Sequence, residues 1–320
     1  MRAIVQDRYG SADVLALRKI DRPVVGKDEV LVRVHAAGMD PGVWHLMTGI
    51  PYLMRLFGPG FFAPKARVPG MDVAGRVEAV GENVTAFRPG DEVFGAGNGS
   101  FAEYACARAD KLALKPANLT FEQAATVPIS ASTALEALRD AGRIQPGQKV
   151  LVIGAGGGVG TFAVQLAKAF DTEVTGVCST AKTDLVRSIG ADHVIDYTRE
   201  EIAGGERYDL ILDTAGNRPL SSLRRALAPE GTLVIVGGEG ARWLGVSRPL
   251  RALLLNPFVR QRLTALFSIV RKENLELLRE LIEAGKVTPV IDRTYPLSEA
   301  PEAVRQWEKG HARGKSVIAV

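Results

Sequence analysis

The first 115 or so positions alternate apolar and polar in short runs, EVLVRVHAAG (29–38), MDVAGRVEAVG (71–81), DEVFG (91–95) and SFAEYACARADKLALKP (100–116), broken by turn sequences such as RPGDE (88–92). A period of two with Gly and Pro punctuation predicts a β-rich region. From Thr120 the pattern turns helical through FEQAATVPISASTALEALRDAG (121–142), and then short apolar strands and helical stretches take turns. The strands are VLVIG, EVTGVC, HVIDY, YDLILDTAG and GTLVIVGG; between them TFAVQLAKAF, AKTDLVRSIG and PLSSLRRALAPEG read as helices. This order predicts an α/β fold with a doubly wound parallel sheet. The helix ENLELLRELIEAG, the stretch TYPLSEAPEAVRQWEKG and a closing strand KSVIAV follow.

Composition narrows the function classes. At 320 residues, 46% hydrophobic and 24% charged, the chain has the bulk for two domains with their own cores. Forty basic residues face thirty-six acidic ones and are scattered, which predicts no nucleic-acid partner. Cys106 and Cys178 are too few for a disulfide framework, and MRAIVQ opens as a strand would, so a cytoplasmic location is expected. The segment 241–272 mixes arginines with large apolar residues, as an interfacial helix does, but Pro249 and Pro257 divide it and no membrane span is expected; it is read as packing over a cleft or a subunit interface.

Residues 150–168, VLVIGAGGGVGTFAVQLAK, combine a strand, a glycine turn and a helix. A glycine turn at a helix start presents free backbone N–H groups and the positive end of the helix dipole, which suits a pyrophosphate. In the G-x-G-x-x-G fingerprint Ala155, Gly157 and Gly160 take the three glycine places, so the first is alanine, and Gly156, Gly158 and Val159 complete the expected phosphate loop. The second strand ends without an acid for a ribose diol. It offers Cys178, Ser179, Thr180 and Lys182, hydroxyls and a cation that favour a 2′-phosphate and hence NADPH, although Ser179 and Thr180 would serve equally as helix caps. Asp213 in DTAGN (213–217), and Gly237 with Gly238, close strands at carboxyl ends, where ligands of doubly wound sheets bind.

The blocks VRVHAAGMDPGVWHLMTG, VPGMDVAGRVEAVG, RPGDEVFG, ISASTALEAL, SIGADHVIDY and GKSVIAV, in this order around the glycine turn, resemble the medium-chain dehydrogenase/reductases of the zinc-independent quinone oxidoreductase type. The resemblance implies a GroES-like catalytic domain from residues 1–123 and 268–320, a Rossmann domain over 124–267, NADPH as cofactor and a homodimer. It further implies Thr133 near the nicotinamide ribose, Tyr197 with Ser179 and Lys182 near the adenosine phosphate, and the backbone from Val236 to Gly238 at the nicotinamide end. On the substrate side it implies a polar residue at Asp40 and a tyrosine at Tyr52. The places of the catalytic zinc ligands in zinc-dependent relatives hold Asp40, Met71 with Asp72, and Ile129, a set unsuited to zinc, so no metal is expected. An ionised Asp40 could not donate to a developing enolate, and an Asx turn before Pro41 is an equal reading of it. The expected activity is hydride transfer from NADPH to a quinone or an α,β-unsaturated carbonyl. The alternatives are an NADPH-binding sensor or assembly protein with little catalysis, or a zinc-free alcohol or aldehyde reductase.

Overall fold

A computed structural model describes the chain apart from residues 58, 59, 203, 204, 237–246 and 311. By internal contacts it forms two compact units, Met1–Ser132 with Ile269–Gly285 and Pro289–Val320, and Thr133–Ser268 with Lys286–Thr288.

The first unit begins with the antiparallel pair β1 (Arg2–Val5) and β2 (Ala16–Lys19), followed by β3 (Glu29–Gly38). After β3 comes helix α1 (Pro41–Thr48), whose limits are written in its sequence. Asp40 caps it, Pro41 supplies a helical φ where no N–H is needed, and Gly49 ends it at φ 65° in the left-handed region. Strands β4 (Asp72–Val80), β5 (Glu92–Ala96), β6 (Tyr104–Arg108) and β7 (Leu112–Leu114) continue the unit. Val30, Val32 and Val34 of β3 pack with Val73, Val77, Val93 and Leu112 into a buried core, the outcome that period-two valines predict. Short α2 (Phe121–Ala124), closed by a capping box between Thr120 and Gln123, and α3 (Pro128–Glu136) lead out of it. The single helix read over 121–142 is therefore divided: Pro128 cannot continue a helix but can start one, and the last turn, Ala137–Ala141, widens to π geometry.

The second unit is the doubly wound α/β domain expected from the alternating pattern. It contains β8 (Lys149–Ile153), α4 (Gly158–Ala169), β9 (Glu173–Cys178), α5 (Thr183–Ser188), β10 (His193–Asp196), β11 (Tyr208–Asp213), α6 (Leu220–Ala226), β12 (Leu227–Ile235), α7 (Ser247–Leu255) and β13 (Arg262–Ala265). The strands lie in the order β10-β9-β8-β11-β12-β13, all parallel. The order reverses between β8 and β11, and such a switch point opens a crevice at the carboxyl ends of the strands. Two elements depart from the sequence reading. Leu227 to Glu230, read as the end of a helix, already belong to β12, whose register against β11 shifts between Tyr208 and Leu210. The segment 241–272 carries the edge strand β13 after α7; Ala252 and Leu255 of α7 face the core while Leu250, Leu253 and Leu254 are exposed. Residues 241–246 lie outside the described residues.

The chain then returns to the first unit with α8 (Lys272–Glu283), β14 (Ile291–Pro296), α9 (Ala300–Glu308) and β15 (Lys315–Ala319). Strand β15 pairs antiparallel with β3, Val317 opposite Gly38, and completes the sheet order β14-β15-β3-β4-β5-β7 with β6 on β3. No described helix is long and apolar enough to cross a membrane.

Gly160 on α4 has no room for a side chain, since a Cβ there would collide with the carbonyl oxygen of Gly154. Gly160→Ala must push the helix from the turn and should lower the unfolding free energy by about 1–3 kcal/mol, the usual range for overpacking. Urea unfolding measures this, and an unchanged midpoint would show that α4 moves away at no cost.

Candidate functional site

In the second unit the turn after β8 is made by Gly154, at φ 83°, one residue before the fingerprint's first place. An alanine is thus tolerated at 155: the left-handed residue is its neighbour, which any Cβ would strain. The N–H groups of Gly154 and Ala155 donate to Val177 O at 3.1 and 3.0 Å, tying the turn to β9. Gly157 is the N-cap of α4 and no side chain caps the helix, so Gly158, Val159 and Gly160 begin it without an acceptor from the cap residue. That is the arrangement of an anion cradle, and a dinucleotide pyrophosphate fits it.

Lys182 runs along this turn: a Cβ added at Gly156 would stand 2.7 Å from its Cδ. Ser179 precedes the 3-10 turn Thr180–Lys182 but makes no capping hydrogen bond, so capping does not account for its hydroxyl. The Thr180 hydroxyl donates to Asp196 Oδ2 at 2.5 Å, and Asp196 Oδ1 accepts from Thr198 N at 3.0 Å and Thr198 Oγ1 at 2.7 Å. Asp196 is an acid that the strand ending at Cys178 did not reveal; it arrives from β10, in register with Cys178. The Thr180 hydrogen bond, foremost, holds its carboxyl below the usual range. Cys178 is buried and burial pushes its thiol up to about 11, so it offers no thiolate to a ligand. Tyr197 N donates to Cys178 O at 3.1 Å, and its exposed ring has the Arg218 guanidinium 5.9 Å from its centroid.

At the carboxyl end of β11, Asp213 is buried. Its Oδ1 accepts from Ala215 N and Gly216 N at 3.2 and 3.0 Å, its Oδ2 from Arg248 Nη2 at 2.6 Å, and its carbonyl from Val236 N at 2.9 Å. Asp213 therefore shapes the turn rather than offering a free carboxylate. Arg248 had no signal in the sequence, because its partner lies 35 residues away. Half-buried Thr133 sits on α3, and Gly237 and Gly238 lie outside the described residues.

In the first unit Asp40 and Tyr52 stand at opposite ends of α1, about 12 Å of helix. Tyr52 opens the 3-10 turn Tyr52–Phe57. Arg55 from that turn donates to Gly49 O at 2.9 Å and Thr48 O at 3.0 Å and lies 4.8 Å from the Tyr52 ring centroid, fastening the turn to the helix. Asp40 is buried; its Oδ1 accepts from Gly42 N at 2.7 Å and Val43 N at 3.4 Å, while Oδ2 has no partner.

Beside it lies a feature the sequence did not disclose. Asp72, at the start of β4, is fully buried; Oδ1 accepts from Ile129 N at the first turn of α3 at 2.9 Å, and Oδ2 accepts from the buried ammonium of Lys315 at 3.1 Å. Gly38 leaves room for this carboxylate, since a Cβ there would stand 2.7 Å from Asp72 Oδ2. Burial pushes Asp72 up to about 6, against the pull of Lys315, with Asp40 adding to the rise; burial also raises Asp40. Among the described residues no group of three or more His, Cys, Asp and Glu side chains is gathered as a metal site.

Residues 26–117 match the family model of the alcohol dehydrogenase GroES-like domain, and residues 189–318 that of the zinc-binding dehydrogenases. The whole chain is 35% identical to the mouse mitochondrial NAD(P)H oxidoreductase RTN4IP1, covering 89% of that protein. The quinone oxidoreductase from Coxiella burnetii superposes with a TM-score of 0.87 at 29% identity, over 100% of this chain and 99% of that one. A mycobacterial protein solved with NADPH, Rv1454c, superposes with a TM-score of 0.86 at 27% identity, both chains covered in full.

The raised Asp72 carboxyl has a measurable consequence. Between about pH 4 and 6 the native state binds this proton more tightly than the unfolded chain, so its contribution to stability falls as pH rises through the window and is level above it. The unfolding free energy of wild type minus that of Asp72→Asn should therefore fall by roughly 1–3 kcal/mol between pH 4 and pH 6. Urea titrations across this range check it; a difference that rises with pH would mean that the pair with Lys315 outweighs burial.

Proposed function

The chain belongs to the medium-chain dehydrogenase/reductase family, in its quinone-oxidoreductase-like branch, and from that premise we propose that it is an NADPH-dependent, zinc-independent reductase of quinones or α,β-unsaturated carbonyls. The observation that carries the reading is the pairing of Asp72 with Lys315: this carboxylate at a zinc-ligand place has its Oδ2 committed to an ammonium, Met71 and Ile129 bring no hard donor, and Asp40, its Oδ1 held by the N–H groups of Gly42 and Val43, is too little to hold zinc alone. A carbonyl that no Lewis acid polarises needs its own electrophilicity, which conjugation in a quinone or enone provides.

When bound, NADPH supplies the hydride. The chain's residues bind and orient: the first turn of α4 holds the pyrophosphate, Ser179 and Lys182 the 2′-phosphate, Tyr197 the adenosine side, Thr133 and the Val236 backbone the nicotinamide side. Asp196 lowers the preference for a phosphate through its charge, and its hydrogen bonds from Thr180 and Thr198 spread that charge. Tyr52 places a hydroxyl for the oxygen that gains charge. Positioning of this kind provides several kcal/mol without covalent chemistry.

The test is kcat/KM for NADPH and for NADH with one quinone. Wild type should prefer NADPH, and Lys182→Ala should lose about tenfold or more of that preference, corresponding to about 1.4 kcal/mol from a charge-assisted contact in partial solvent. A preference for NADH, or a ratio that does not move, would remove the phosphate from this pocket. Tyr52→Phe should lower kcat/KM with a quinone by roughly ten- to a hundredfold if its hydroxyl stabilises the developing charge; steady-state kinetics with an unchanged value would return Tyr52 to the pocket wall.

A further inference from the structure

The Asp40, Asp72 and Lys315 side chains place two carboxyl groups and one ammonium in the buried interior of the first unit. If both carboxyls were ionised, the cluster would carry a net negative charge away from water, which is costly. The hydrogen bonds say which group takes the proton. Both Asp72 oxygens are engaged, one by Lys315 Nζ and the other by an N–H of the first turn of α3, where the helix dipole also favours an anion. On Asp40 only Oδ1 is engaged, by the N–H groups of Gly42 and Val43; Oδ2 is buried and bare. A bare carboxylate oxygen in an apolar interior is the least stable place for charge, while a protonated Oδ2 leaves Oδ1 free to cap α1 as before.

We propose that Asp72 and Lys315 are positioning residues that hold Asp40 as a neutral carboxylic acid with its proton on Oδ2, which makes a hydrogen-bond donor of a residue otherwise confined to accepting. Lys315 Nζ gives its hydrogen bond to Asp72 Oδ2 at 3.1 Å and none to Asp40, whose Oδ2 has no partner. The charged and titratable groups facing Asp40 are Lys315 from β15, Asp72 from β4 and His45 on its own helix, and His45 directs Nδ1–H to Ile50 O at 2.6 Å. Burial outweighs the combined pull of Lys315, of the Gly42 and Val43 N–H groups and of His45, and the Asp40 carboxyl is raised. The protonation state stands on the first unit alone; that the donor serves substrate oxygen rests on the proposed reductase activity.

The test reads the ligand-free protein, labelled with carbon-13 at aspartate Cγ, by NMR over a pH titration. The resonance lost in Asp40→Asn, a variant that keeps the helix cap, belongs to Asp40. It should lie in the carboxylic-acid position near pH 7 and move toward the carboxylate position only on further alkalinisation. In Asp72→Asn, where Lys315 has one carboxylate left to pair with, the same resonance should lie in the carboxylate position near pH 7. If that variant fails to fold, Lys315→Met should instead show both Asp40 and Asp72 as acids. An Asp40 resonance already in the carboxylate position in wild type, one that stays an acid in folded Asp72→Asn, or an Asp72 resonance still in the carboxylate position in Lys315→Met overturns the proposal. For the donor role, kcat/KM with a quinone should fall at alkaline pH in wild type, and this limb should vanish in Asp40→Asn, whose amide does not titrate. A persisting limb with the expected titration would overturn the donor role and leave the protonation state standing, separately from any failure of the reductase reading.

Discussion

A buried ion pair between residues 243 positions apart, Asp72 with Lys315, fixes how the first unit closes. The chain leaves that unit after Ser132, builds the doubly wound sheet, and must return so that β15 meets β3 in one register. Because the side-chain period of a strand is two, a slip of one residue would turn Lys315 away from Asp72 and leave a buried carboxylate without a cation. The pair is thus better understood as a selector of register than as a source of stability, since pairs of this kind gain little over apolar packing but cost heavily when broken. It also organises its neighbours: Gly38 must lack a side chain, α3 must begin at Pro128, and Asp40 is left with half its carboxyl unengaged.

The second unit depends on a different constraint, the close approach of α4 to the turn after β8. Gly154 reverses the chain, Gly160 lets the helix lie against it, and Gly157 starts the helix without a side-chain cap. Each choice removes atoms from the same small region, and what is left is a cluster of backbone donors at the head of a helix.

Much of this was legible in the sequence because it rests on local pattern. The parallel strands and α4 follow from apolar runs and helical spacing, and α1 from Asp-Pro at one end and Gly at the other. The short strand β13 was hidden in the basic, apolar segment, where four residues do not establish a period. The Asp196 and Thr180 contact follows from strand register, Arg248 with Asp213 from a helix laid across the sheet, and Lys315 with Asp72 from the return of the C-terminal tail. None of these has a fixed spacing in sequence. Gly154 is plain in the sequence, but the first place of the fingerprint falls on Ala155, and only the φ angle shows which residue turns the chain.

Both cysteines of the chain lie buried, and burial pushes each thiol up to about 11. Quinones and enones are Michael acceptors that alkylate thiolates, and the thiolate is the form these two residues are denied. With quinones or enones as substrates, as proposed, neither cysteine would present a thiolate for them to alkylate.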